Sequence, residues 1–281
     1  MTQPFISIVI ANFNYGRFLE EAIMSVLEQS CQDFELIIVD GGSTDNSVSV
    51  IKKYEDKLAW WCSEKDRGQS HAFNKGFAQA KGRFLTWLNA DDVMFPGALS
   101  RVQAAINRYP EAEWFAAGGF WLDMDMRVIK CSRAQAFSSY RAQHGNLSVY
   151  GPSSFFTKRL WELAGHVDTD FHYMMDTELW NRFYFNEGVK YRVVDGYCWG
   201  LRLHPDAKMS GHNFASSPLF DLSHPAWKQR QTEATLLVER YRHKKMPIWG
   251  RAVSVRILTY LWSRYDSFRF AGKCYRSLHL R

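Results

Sequence analysis

Four short apolar runs, three of them followed by a segment of helical period, fill the first ninety residues and leave few folds open. Residues 6–11, 34–39, 58–62 and 83–88 are rich in β-branched and aromatic side chains and read as strands, the first two and the last as buried ones. After the first run, Phe18, Leu19, Ala22, Ile23, Val26 and Leu27 recur at the spacing of one helix face. The pattern predicts further helices over residues 46–54 and 70–80. Strands alternating with helices of this length are βαβ units, which wind a mostly parallel sheet with helices on its faces. Past Phe95 the alternation weakens, and the expected elements are strands at 114–121 and 191–194 and a helix at 176–186. No internal repeat and no low-complexity segment interrupts the chain.

A chain of 281 residues can bury a full core and makes one large domain or one and a half. Its 46% hydrophobic and 23% charged residues exclude a disordered protein. The 11 tryptophans point to surfaces that meet sugars, lipids or partners. Five scattered cysteines, none in a CxxC pair, argue against a disulfide framework or zinc site and for a reducing, cytoplasmic setting. The first strand begins too early to leave room for a signal peptide, and no apolar stretch reaches the length of a membrane span. Net charge is +6, unevenly spread: residues 222–281 hold 13 of the 35 Lys and Arg but only 3 of the 29 Asp and Glu. Only this tail is expected to meet an anionic partner.

The polar residues gather where chemistry is expected. In open α/β sheets ligands bind beyond the carboxyl ends of the strands. Asn12 ends the first run, Asp40 the second, and Asn89-Ala90-Asp91-Asp92 the fourth, while the loop from Ser63 to Ser70 follows the third. Adjacent carboxylates at Asp91 and Asp92 can hold a hard divalent cation while substrate phosphates fill its other positions. The competing reading is a strand-ending turn in which Asp92 caps the next helix.

With these stretches on view, SIVIANFNYGRFLEEAIMSVLEQS, DFELIIVDGGSTDNS and SEKDRGQSHAFNKGFAQAKGRFLTWLNADD, followed by MMDTELWNRF and LRLH, resemble glycosyltransferase family 2. Those are inverting enzymes of GT-A fold, and the resemblance covers roughly the first 210 residues. It implies an α/β, Rossmann-like, mostly parallel sheet flanked by helices over residues 1–216, with a helical, basic, aromatic-rich extension over 217–281. By resemblance, Ala11 and Asn12 contact the nucleoside, and Asp40 accepts a hydrogen bond from the base, usually uracil. An ionised Asp only accepts, which suits an imide N–H. Asp66 stands near the nucleoside, and Gly68, Gln69 and Asn74 line the path to the diphosphate. Turn chemistry and helix capping are the alternative for those three.

The family's Asp-x-Asp metal motif begins here with Asn89 and Ala90 and keeps its second carboxylate at Asp91. Asp91 is thus the expected ligand of Mn²⁺ or Mg²⁺, Asp92 a neighbour that ligates or caps, and His204 a late ligand closing the site. Asp176 matches the general base, with Met175 where many members carry a Glu. Glu178 lies on the opposite helix face, so one of the two acts while the other caps or pairs with Arg182. The implied chemistry is direct displacement at the anomeric carbon of a nucleotide-sugar, foremost a UDP-sugar. The acceptor would be a hydroxyl of a glycan or polyprenyl-linked lipid in bacterial surface-polysaccharide synthesis, such as lipopolysaccharide.

In the tail, Trp249, Val253, Ile257 and Tyr260 fall at helical spacing among Arg251, Arg256 and Arg264. Such a helix lies at an anionic membrane surface, on the inner face of the cell membrane, or packs on the catalytic domain. The basic groups follow no nucleic-acid-binding module, so nucleic acid is not an expected partner. Two other function classes compete with the transferase. One is a degenerate binding protein that holds nucleotide-sugar without turnover. The other is a nucleotidyltransferase, which would want a Gly-rich basic phosphate loop where Asn12–Arg17 stands.

Overall fold

The computed structural model describes residues 3–137, 149–186, 188–208, 225–241, 244, 269–275 and 278. In chain order its elements begin with β1 (Ile6–Asn12), α1 (Gly16–Leu27), β2 (Phe34–Asp40), α2 (Ser47–Lys53), β3 (Trp60–Ser63), α3 (Gln69–Gln79) and β4 (Phe84–Asn89). They continue with β5 (Val93–Met94), α4 (Ala98–Arg108), β6 (Trp114–Leu122), β7 (Val128–Ser132), β8 (Ser154–Thr157), α5 (Lys158–Ala164), α6 (Met175–Phe185), β9 (Tyr191–Arg202) and α7 (Pro225–Tyr241).

One sheet, ordered β3-β2-β1-β4-β8-β6-β9-β5 with β7 paired to β6, runs through the molecule. β3, β2, β1 and β4 are parallel neighbours. Strand β1 lies between β2 and β4 with helices over both faces, so its run is continuously apolar rather than alternating. The other half is mixed: β8 enters antiparallel to β4 and β6, β6 and β9 are parallel, and β5 and β7 sit antiparallel on β9 and β6. The sheet is mostly parallel, as the sequence predicts, with every antiparallel pair involving a strand beyond β4 and the first half parallel throughout. There every connection is a helical crossover; beyond it β6 and β7 are joined by a tight turn, in which Asp123 Oδ1 accepts the Arg127 N–H at 2.7 Å.

Each face of the sheet carries a core. One is packed beneath α1, α2 and α4. The other lies beneath α3, α5, α6 and α7, with Trp87, Trp180 and Trp114 stacked through it at ring separations of 5.4 Å. Six of the eight tryptophans with described side chains are buried. The tryptophan content, read from composition as a sign of binding surfaces, mostly fills the interior.

Beyond residue 216 the described residues pack onto the rest of the chain. Leu237 and Tyr241 of α7 are buried in the second core. Further on, Phe270, Tyr275 and Leu278 pack with Phe120 and Val128, and Tyr275 N–H bonds the Met126 carbonyl at 3.0 Å. The predicted helix bearing Trp249, Val253, Ile257 and Tyr260 lies outside the described residues. Among the described residues no helix is long and apolar enough to cross a membrane.

Candidate active site

Parallel register brings the first strand ends side by side: Asn12 is level with Asp40, and Ala11 with Asn89. Asp40 is fully buried. Its Oδ1 accepts from Asn12 Nδ2 at 2.6 Å and Ser43 Oγ at 2.5 Å; its Oδ2 accepts from Ser63 Oγ at 2.6 Å and the Ser43 and Gly42 N–H groups at 2.9 and 3.2 Å. Burial works to raise its pKa, and the bonds from Ser43, Ser63 and Asn12 overcome that, so the carboxyl titrates below its usual range. These five donors use the carboxylate's lone pairs, so Asp40 here shapes the Gly41–Ser43 loop. A base N–H would have to displace one of the serine hydroxyls. Asn12 Oδ1, by contrast, is buried without a partner.

Beside this loop Asp66 and Phe13 close over Gly41 and leave no room for a side chain there. A Cβ on Gly41 would come within 2.9 Å of Asp66 Oδ2 and 3.2 Å of a Phe13 ring carbon. Phe13 is 58% exposed although large and apolar, so much of its ring faces solvent. Nothing in the local pattern singled it out; an aromatic residue in a polar loop at a strand end is the only signal. Asp66 Oδ1 accepts the Gly68 N–H at 2.8 Å. Gly68 opens α3 at φ +104°, a conformation that favours glycine.

Asn74 does not line the site. Its amide bonds both the N–H and the carbonyl of Val167, at 2.9 and 2.8 Å, which uses it to pin a neighbouring loop. Gln69 reaches the end of β4: its Nε2 donates to Asn89 Oδ1 at 2.7 Å, and its Oε1 accepts from Lys208 Nζ at 2.9 Å.

The turn after β4 separates its two carboxylates. Asp92 is fully buried and accepts from Asn89 Nδ2 at 2.7 Å, Trp199 Nε1 at 2.9 Å and the Arg202 N–H at 3.1 Å. Burial and the neighbouring Asp91 charge push its carboxyl well up. With both oxygens bonded inside the protein and no exposed surface, Asp92 serves here as a structural acceptor. Ala90 is buried as well. Asp91 keeps partial exposure instead, with its Oδ2 3.1 Å from His204 Nε2 across 113 residues of chain. The His204 ring is packed between Tyr15 and Phe18, at centroid separations of 5.6 and 4.5 Å, and its Nδ1 has no partner. A carboxylate and an imidazole so placed are a fitting half of a Mn²⁺ or Mg²⁺ site. Among the described residues no group of three His, Cys, Asp or Glu is close enough to hold an ion unaided, so donor phosphate oxygens would have to complete the shell.

Asp176 and Glu178 are likewise separated. Glu178 is sealed in the interior, bonded by Arg182 at 2.7 Å, Arg240 at 2.8 Å and the Tyr241 hydroxyl at 3.0 Å. Asp176, half-buried in the first turn of α6, has its Oδ1 on the Thr177 N–H at 2.6 Å. Burial raises its pKa, and the Thr177 bonds and the charges of Arg230 and Lys208 only partly oppose this. Lys208 is a residue that sequence reasoning missed. Its ammonium donates to Gln69 and to the His172 carbonyl and interacts with the charges of Glu233, Asp176 and Asp91. Burial pushes it down to about 8 against those three carboxylates.

Residues 7–120 match the model of Glycosyl transferase family 2. The match makes this stretch similar to a glycosyltransferase family 2 domain. An uncharacterized glycosyltransferase of Nostoc sp. is 45% identical over 100 residues, 34% of this chain and 31% of that protein. The chain thus spans about a third of that relative's length. The chain also has solved structural likenesses. S. aureus TarS 1–349 in complex with UDP-GlcNAc superposes with a TM-score of 0.60 at 15% identity, over 94% of this chain and 73% of that one. Mannosyltransferase PcManGT from Pyrobaculum calidifontis, in complex with GDP-Man and Mn²⁺, gives 0.54 at 14%, over 96% and 83%. The fold is GT-A.

Proposed function

We propose that this chain transfers a sugar from a nucleotide-sugar, with UDP-sugars as the favoured donors, to a hydroxyl of a glycan or polyprenyl-linked acceptor in surface-polysaccharide synthesis. The carrying observation is Lys208, whose ammonium donates to Gln69, itself bonded to Asn89 two residues before Asp91, and to the His172 carbonyl in the turn before Asp176, so one side chain joins the end of β4 to the start of α6. Support for the donor class comes from the structural neighbours, which hold UDP-GlcNAc and GDP-Man.

In this reading the base stacks on the exposed face of the Phe13 ring, next to Asp66. Gln69, held by Asn89 and Lys208, orders the path of the diphosphate, and the Lys208 ammonium balances part of its charge. Asp91 and His204 would hold Mn²⁺ or Mg²⁺, which when bound offsets charge developing on the departing diphosphate. Asp176 accepts the proton of the acceptor hydroxyl as that oxygen attacks opposite the diphosphate. Its raised pKa brings it nearer neutrality than an exposed carboxylate, as a general base requires. One displacement from the opposite face inverts the anomeric carbon. The basic residues Arg251, Arg256 and Arg264 hold the enzyme at an anionic surface on the cytoplasmic face of the membrane; flotation with anionic liposomes that is unchanged when all three become Glu would refute this.

The test of function is a nucleotide-sugar panel with and without Mn²⁺, following nucleotide binding and release together. Metal-dependent release from one UDP-sugar, lost in Asp91→Ala, is the expected result. Binding without release in the presence of a lipid-linked acceptor would instead assign a degenerate nucleotide-sugar-binding protein, the reading that Asn89 in place of a carboxylate favours.

A further inference from the structure

The turn that precedes α6 is held from a helix far along the chain. Glu233, in the middle of α7, is 3% exposed, and its carboxylate accepts three consecutive backbone N–H groups: His172 at 3.0 Å, Tyr173 at 2.8 Å and Met174 at 2.8 Å. Successive N–H groups turned onto one anion form a nest, and each such bond is charge-assisted. Gln229, one turn earlier on α7, donates to the same carboxylate at 3.3 Å. Two donor-side residues grip the same turn, Ser70 through the Phe171 carbonyl at 3.1 Å and Lys208 through the His172 carbonyl.

Asp176 stands two residues beyond the last of these N–H groups, in the first turn of α6. Helix α7 is itself locked to α6, since Arg240 and the Tyr241 hydroxyl bond Glu178 and Leu237 is fully buried. The start of α6 therefore cannot shift without breaking the Glu233 nest. A displacement there moves Asp176 relative to the donor site through the residues that Ser70 and Lys208 hold.

We propose that Glu233 is a positioning residue for the acceptor base: by fixing the His172–Met174 turn it sets the place of the Asp176 carboxylate. This rests on the reading of Asp176 as the base. A misplacement of about 1 Å costs on the order of 10²-fold in rate.

The experiment uses the full chain and the variants Glu233→Ala, Glu233→Gln and Glu233→Asp. It measures melting, UDP affinity, kcat, and amide hydrogen exchange at residues 172–176. For Glu233→Ala we expect UDP affinity within about twofold of the parent, exchange at 172–174 faster by at least about tenfold, and kcat lower by roughly 10²-fold. Glu233→Gln, which keeps one accepting oxygen, falls between, and Glu233→Asp recovers part of kcat. If the alanine variant does not fold, the glutamine variant decides. Folded Glu233→Gln with parental kcat and parental protection overturns the proposal, as does a loss that falls on UDP affinity rather than kcat. Should no donor be turned over by the parent chain, the transferase reading fails, while the exchange measurement still decides whether Glu233 holds the turn.

Discussion

Replacing Glu178 and Asp176 in turn by their amides separates a carboxylate that holds the protein together from one that does chemistry. Glu178 has no exposed side-chain surface and faces two guanidinium groups and a phenol. Removing its charge leaves Arg182 largely buried and uncompensated, a loss that costs about 3–5 kcal/mol for an interior pair. Arg240 is 43% exposed and keeps Asp168, so the lower end applies. We expect Glu178→Gln to lose about 3 kcal/mol, which for a chain of this size lowers Tm by roughly 6–12 °C. Its kcat, measured well below that Tm, should stay within about twofold of the parent, since no atom of Glu178 reaches the cleft. Asp176→Asn should behave in the opposite way. Its carboxylate is disfavoured by burial, so neutralising it leaves Tm unchanged or higher, while loss of a general base lowers kcat by about 10²–10⁴-fold. Scanning calorimetry beside steady-state nucleotide release reads both. A folded Glu178→Gln without activity, or an Asp176→Asn with parental kcat, would refute the assignment.

The pH–rate profile should rise through the Asp176 pKa, above the usual carboxylate range, and fall as Lys208 deprotonates near about 8. Lys208→Arg should carry the alkaline limb upward; a limb that stays in place denies Lys208 a part in catalysis. Because the unfolded chain binds this proton more tightly than the folded one, the Lys208 contribution to folding stability should increase with pH between about 8 and its ordinary value, a slope that denaturant titrations can read. Phe13→Ala should weaken UDP binding by about 1–3 kcal/mol if the ring stacks on the base, and unchanged calorimetric affinity would remove Phe13 from the site. Asp92→Asn should cost about 1–3 kcal/mol of stability, because three donors converge on the carboxylate, yet leave Mn²⁺ affinity with UDP as it was; a selective loss of metal binding would restore Asp92 as a ligand.

The local pattern was a good guide wherever short-range chemistry decides. Helices α1, α2, α3 and α6 form within a few residues of where apolar spacing puts them, because the buried face of a helix is written at intervals of three and four. Strand β9 runs on to Arg202, well past residue 194, because Asp195 and Gly196 interrupt the apolar text although pairing with β6 continues through register shifts. Helix α4 went unread among its charged and polar residues, and β8 is too short to announce itself.

Local pattern put Asn12, Asp40 and Asp91 at the carboxyl ends of parallel strands, where ligands bind in such sheets, while Asp66 and Asp176 became candidates only through the family resemblance. Which carboxylate of each neighbouring pair meets the cleft was not written locally. Asp92 turns inward because Trp199 and Arg202, more than a hundred residues later, offer it donors. Glu178 is sealed by Arg182 within its own helix and by Arg240 and Tyr241 on α7. Lys208 enters the site, and Glu233 the turn beside it, for the same reason. The role of a charged side chain is set by the partners and the burial that the fold supplies, and those partners come from segments that no local window contains.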